Sequence, residues 1–332
     1  MILQIPLTPE AAAWLIHLMP ILSKETLFTL MCGIFSGGVF VFVAYNPDAG
    51  PLVIFLPLMP LAIAGLCVSA RSCLIASLIV CLMAARIAGQ EYAVSVAVIV
   101  VIPLLYFVRK ALLWRGDEQQ KQWYPLMPVV AELTLMACIA IAGVILLMGH
   151  SEQVELKSAV AQSLHRQLDS QFNVSDPDAA ATKKLIDEWS FVLFAFAGWL
   201  WVMMIYGFSA IANTFLKVNG IALRPSLALG SRGLPLWLPF VILVAAGLAA
   251  FGNGNDRYLG EAVILLMIMP YFLSGIASFH EISHRFGNRW LWIAVFYITL
   301  LVFPALSVFV IAKGVHAQIE ELIKNPPVAK DY

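Results

Sequence analysis

Charge is scarce in this chain, and what there is cancels. Only 12% of the 332 residues are charged, and twenty acidic side chains balance twenty basic ones, where ordinary soluble domains carry about 25% charged residues. That shortage excludes the broad cationic surface that grips nucleic acid, and no nucleic-acid partner is expected. Aspartate is missing from every long apolar run, and Glu132 is the one charged residue inside any of them. Paired cysteines are missing too. Cys32, Cys67, Cys73, Cys81 and Cys138 lie in apolar stretches with no C-x-x-C among them, which removes redox pairs and zinc fingers and leaves small apolar residues. No basic residue precedes Lys24 and no small-residue cleavage pattern follows the first apolar stretch, so the first residues are not read as a removed signal peptide.

What the chain has is hydrophobicity: 61% apolar residues and a mean hydropathy of +0.88. Such a chain is polytopic in a membrane, and its length is counted in spans rather than domains. Uncharged runs cover Leu27–Tyr45, Gly50–Ala70, Ser72–Ala85, Tyr92–Val108, Trp123–Gly149, Trp189–Leu216, Gly233–Asn255, Ala262–Phe279 and Trp290–Ala312. They predict an all-α transmembrane helix bundle of about nine spans, the second and third being the weakest and the third short enough to need Arg86 to snorkel. The expected divisions are an N-terminal interfacial segment (1–26), an N-terminal bundle (27–149), an extracytoplasmic helical loop (150–188), a C-terminal bundle (189–313) and a tail (314–332).

Basic residues orient the bundle. Lys24, Arg71, Arg109, Lys110, Arg115, Lys121, Lys217, Arg224, Arg232, Arg285 and Arg289 fall in one set of alternating loops, against Arg86 and Arg257 in the other. The richer set is placed in the cytoplasm, which puts the N-terminus inside and, for nine spans, the C-terminus outside. Residues 11–22 are too few to span and read as an interfacial helix. In the one long loop, Leu156, Val160, Leu164, Leu168 and Phe172 form an i, i+4 ladder that predicts an amphipathic helix on the membrane or against the bundle. Asp176 and Pro177 then open a second helix that runs on into the sixth span. Asn173 begins an N-x-S sequon, which matters only in a eukaryotic secretory compartment.

Four features carry candidate chemistry. His280, Glu281 and His284 spell H-E-x-x-H, which on a helix puts two histidines on one face beside a general base, as in zinc proteases. The bland reading is a polar last turn, with Glu281 paired to Arg285 and the helix stopped at a left-handed Gly287. No third ligand is evident, since Glu320 and Glu321 fall on the opposite side of the expected topology. Glu132 marks either a proton or substrate path or a carboxylate that snorkels to the interface. Pro57 and Pro60 within the second span, and Pro270 within the eighth, are expected to break helices, either for a binding site or as packing kinks. Gly33 and Gly37 form a G-x-x-x-G face for close helix contact.

Several segments carry a resemblance. Arg224–Pro225, then Leu234–Pro235 with Trp237, a span with Pro270, Tyr271, Phe272, Gly275 and His280, and a last helix with Pro304 and Gly314 together resemble the bacterial YybS-like predicted membrane proteins, domain of unknown function 2232. The likeness covers roughly residues 27–323 and includes the proline-rich second span. It implies a bacterial inner-membrane protein in which a histidine stands at His280 without Glu281 or His284 being required. The N-terminal half of that family is similar to the substrate-binding subunits of energy-coupling-factor vitamin transporters, whose first helix carries A-x-x-x-A where this chain has Gly33 and Gly37. The leading expectation is therefore a transporter-like, small-molecule-binding component. It takes a ligand between helices near Pro57, Pro60, Glu132, Pro270, Tyr271 and His280, with no cofactor and no covalent chemistry. The alternatives are a scaffold meeting a cytoplasmic protein through the basic loops Arg109–Lys121 and Lys217–Arg232, and a zinc metalloprotease built on His280, Glu281 and His284.

Overall fold

The computed structural model describes residues 23–46, 53, 55–117, 120–147 and 179–324. The expected interfacial helix at 11–22, the Leu156–Phe172 ladder, and Asn173, Asp176 and Pro177 lie outside these residues. Those described are almost entirely helical, and they belong to two compact units: Met1–Tyr124 with Met204–Ala228, and Pro125–Met203 with Leu229–Tyr332.

The first unit is built on the parallel contact of α1 (Lys24–Tyr45) with α3 (Ala70–Ile87), in which Gly33 faces Ala76, Gly37 faces Met83 and the Tyr45 hydroxyl donates to the Ile87 carbonyl. Each is opened by a serine whose hydroxyl accepts an amide of the first turn: Thr26 to Ser23 at 3.2 Å, Ser72 to Ser69 at 3.1 Å. Such caps satisfy donors that the helix itself leaves unpaired. The glycine face acts as its spacing implies. A Cβ on Gly33 would lie 2.9 Å from the Ala76 carbonyl oxygen, and one on Gly37 would lie 2.6 Å from the Met83 sulfur. Between these helices stands the short α2 (Leu58–Cys67). Its prolines do not kink it: Pro57 immediately precedes the helix and Pro60 sits in its first turn, where a missing N–H costs nothing. The Pro57 carbonyl accepts the buried Ser36 hydroxyl at 3.0 Å. Val53 and Phe55 are helical and Leu56–Pro57 form a turn, so the expected break falls at Pro57, just ahead of α2, and not at Pro60. At 10 residues it is about 15 Å long, half the hydrocarbon thickness.

The unit continues through α4 (Gln90–Val96), a π-helical turn (Ala97–Val101) and α5 (Ile102–Ala111), then a hairpin of β1 (Trp114–Arg115) and β2 (Gln122–Trp123). The C-terminal part of α7 (Ala179–Val218) completes it. The second half of the long loop does run into the sixth span as one helix, 40 residues without interruption. After α7 the chain is pinned by Arg224, only 6% exposed. Its guanidinium donates to the Ala111 carbonyl at 2.7 Å and the Ser226 carbonyl at 2.9 Å and lies 5.6 Å from the centre of the Trp123 ring. Burial lowers its pKa below the usual guanidinium value.

The second unit holds α6 (Leu126–Leu147), the N-terminal part of α7, α8 (Trp237–Phe251), α9 (Asn255–Met267), α10 (Met269–Ser283), α11 (Arg289–Val302), a 3₁₀ turn (Pro304–Leu306) and α12 (Ser307–Lys324). α8 and α9 form a hairpin closed so tightly at Gly260 that a Cβ there would come 2.7 Å from the Ala245 carbonyl oxygen. α9 and α10 form one 29-residue apolar span, interrupted at Ile268 beside Pro270. Ile268 keeps α-region backbone there and its amide still bonds the Ile264 carbonyl, so of the two expectations for Pro270 the packing kink is the one this geometry matches.

Among the described residues six helices are long and apolar enough to cross a membrane, or seven if the bent pair α11–α12 counts as one. Three of the nine expected runs do not form a single helix of spanning length. Gly50–Ala70 and Gly233–Asn255 hold α2 and α8, of only 10 and 15 residues, which begin just after Pro57 and Pro235. Trp290–Ala312 is not one helix. It turns by 113° across Phe303–Leu306, and α12 extends well into what was expected to be a tail. The third run, expected to be short, forms a full 18-residue helix.

Candidate functional site

The polar groups of the second unit converge where α10 crosses α12. Gly275 and Gly314 make that crossing. A Cβ on Gly275 would fall inside contact distance of the Val310 carbonyl oxygen and 2.8 Å from its carbon; one on Gly314 would do the same at Tyr271. Residue 271 thus faces 314 and residue 275 faces 310, so the two helices run antiparallel with backbones touching. Lipid tails are as apolar as leucine, and membrane helices associate by such small-residue packing together with hydrogen bonds.

One turn along, Tyr271 donates to Gln318 Oε1 at 2.6 Å, with both side chains buried. The amide nitrogen of Gln318 donates to the carbonyls of Leu234 and Pro235 at 3.3 and 3.1 Å. These belong to an irregular strap, residues 229–236, in which Gly233 has a φ of +92° that favours glycine. Four more bonds hold the strap. Ser274 donates to the Ser231 carbonyl at 2.6 Å. Glu281 accepts the Ser231 amide at 3.0 Å and its hydroxyl at 2.8 Å. Glu321 accepts the Gly233 amide at 2.7 Å. Tyr271 is twelve residues, about 18 Å along a helix, from the end of the 29-residue span, so this network reaches the middle of that span. Non-helical backbone survives at such depth only where its polar groups are satisfied.

This geometry revises the H-E-x-x-H segment. Glu281 binds Ser231 instead of pairing with Arg285. The helix ends at Ser283, whose hydroxyl donates to the His280 carbonyl at 2.7 Å, and Gly287 is not among the positive-φ glycines. His280 Nε2 lies 3.1 Å from the Tyr297 hydroxyl, whereas His284 is exposed at the helix end. Glu321, expected on the far side, binds the same strap as Glu281. Among the described residues no three His, Cys, Asp or Glu side chains gather in a metal-holding group.

The residues expected to bind a ligand divide. Pro57 and Pro60 belong to the first unit. Pro270 and Tyr271 border the crossing, and His280 lies two turns further along α10. Glu132, on α6, is half-buried and makes interactions of its own. An open groove of about 300 Å³, lined by Cys138, Phe240, Val244, Leu248 and Val263 among others, is apolar and contains none of them. Gln318, Ser231, Ser274 and Glu321 do not stand out in the sequence. The signal for Gln318 is an uncharged amide four residues after Gly314, on the same helix face.

The outside of the helices is as apolar as the inside. Leu82, Leu243, Phe251 and Leu301 are 64%, 69%, 88% and 81% exposed, while Ser36, Ser209 and Ser274 are fully buried. Small polar residues within and large apolar ones without define a multi-pass integral membrane protein. No family model, characterised protein or solved structure matches the chain.

Proposed function

We propose that the protein is a transporter-like membrane component that takes a small polar molecule into the second unit, with the Tyr271–Gln318 network as its gate. The observation that carries this reading is the coincidence, near mid-span, of a one-residue interruption of the helix beside Pro270, an irregular strap, and side chains able to exchange partners. Gln318 holds the Leu234 and Pro235 carbonyls by bonds of 3.3 and 3.1 Å, the longest in the network and the easiest for a ligand to replace. Broken helices with unwound backbone near the midplane are how many transporters bind polar substrates. The resemblance to YybS-like membrane proteins points the same way, and no covalent step is required.

Access by water tests it. In a variant whose five native cysteines are replaced, Ser274→Cys is treated in membranes with a membrane-impermeant thiosulfonate. A gate that opens lets the introduced thiol be labelled at a measurable rate, and Gln318→Leu changes that rate. Labelling no faster than that of a lipid-facing Leu243→Cys control would leave the crossing a packing device and the proposal wrong.

A further inference from the structure

We infer that the hairpin after α5 is a docking surface for anionic lipid headgroups. The span Gln90–Ala111 ends at Ala111, and Trp114 follows within three residues, at interface level. Register pairs Trp114 with Trp123 and Arg115 with Gln122. Side chains alternate across a strand, so both tryptophans share one face and Arg115 takes the other. The Lys121 ammonium stands 4.9 Å from the Trp114 ring centre. The Lys110 ammonium lies between the rings of Tyr106 and Tyr124, at 5.3 and 5.1 Å. Arg109, Arg115 and Lys121 are exposed, as are Leu113 and Trp114 at 45% and 40%.

Apolar and aromatic surface at this level is expected to enter the headgroup layer, carrying the cations to the depth of the phosphates. Asp117 stands at the tip of the hairpin, and Glu118 follows it in sequence. Arg224 takes no part, because its guanidinium is committed to two carbonyls. A cytoplasmic protein is the competing occupant. The half-exposed indole and leucine beside the cations favour the lipid surface, which accommodates both.

The test uses the purified full-length protein in detergent, titrated with phosphatidylglycerol or phosphatidylcholine and read as thermal stabilisation. The wild type responds to phosphatidylglycerol at the lower concentration, and 1 M salt, which shortens the Debye length to about 3 Å, abolishes the difference. Each cation near an anionic surface is worth about fivefold in affinity, so R109Q/R115Q/K121Q needs on the order of a hundredfold more phosphatidylglycerol. D117N, which removes a charge of the opposite sign without touching the cations, keeps the preference and shows that mutation of the hairpin alone does not erase it. An equal response of wild type and triple variant would overturn the inference. So would stabilisation by soluble glycerol phosphate alone, or charge-dependent crosslinking to a cytoplasmic protein without lipid preference.

Discussion

Replacing Gly314 with alanine adds one methyl group at the point where α12 touches the backbone of α10. The new carbon would lie 2.8 Å from the Tyr271 carbonyl carbon and 3.1 Å from the Gly275 nitrogen. Ordinary carbon contacts lie at about 3.5–4.0 Å, so the helices must part by at least about 0.7 Å. A gap of that size forfeits about a quarter to a half of each dispersion contact along the crossing, and overpacking of this kind costs about 1–3 kcal/mol. Separation also stretches the Tyr271–Gln318 bond, and hydrogen bonds within membranes average about 0.6 kcal/mol. The expected loss is therefore about 2–3 kcal/mol, read by reversible unfolding in mixed micelles. Gly247→Ala, on α8, supplies the control. Nothing lies within 4 Å of the added carbon there, and alanine's helix preference of up to about 1 kcal/mol leaves that variant unchanged or more stable. Equal stabilities of Gly314→Ala and Gly247→Ala would refute the crossing.

Three further outcomes follow from the same contacts. Gln318→Leu strands a buried tyrosine hydroxyl and two carbonyls and costs about 1–3 kcal/mol, and Tyr271→Phe on that background restores part of the loss; simple additivity in the double-mutant cycle would contradict the pairing. Glu281→Ala and Glu321→Ala release the amides of Ser231 and Gly233, whose charge-assisted bonds are worth about 1.5–3 kcal/mol, so hydrogen exchange at those positions accelerates roughly tenfold or more, while that of α3 stays unchanged. Arg224→Lys does not rescue the destabilisation of Arg224→Ala, because one ammonium cannot reproduce the planar fork that reaches Ala111 and Ser226 while lying over Trp123; thermal unfolding of both variants decides it.

Much of the helical architecture is legible in the sequence because hydropathy averaged over a window reports burial in lipid. The same averaging hides a break. Trp290–Ala312 has no charge to interrupt it, yet Pro304 ends the helix where the residue before a proline resists the α conformation. Pro57 and Pro60 look alike in an apolar run, yet only Pro57 falls at a break, where its carbonyl accepts the Ser36 hydroxyl, while Pro60 sits in the first turn of α2. The glycine pair 33/37 is readable because both partners share one helix at i, i+4. Gly275 and Gly314 form an equivalent surface from two helices, which no local pattern records. Glu281 misleads for the opposite reason: Arg285 is its natural partner along the helix, but the strap brings a serine amide and hydroxyl from fifty residues upstream.

The bend at Phe303–Leu306 also decides something about the cell. Every crossing of a bilayer reverses the compartment of all that follows it. A chain turned through 113° either completes a crossing or comes back to the face it left, so the side on which α12 ends depends on these four residues. The compartment that meets the charged end of α12, with Glu320 paired to Lys324, is set by that turn together with the crossings that precede it.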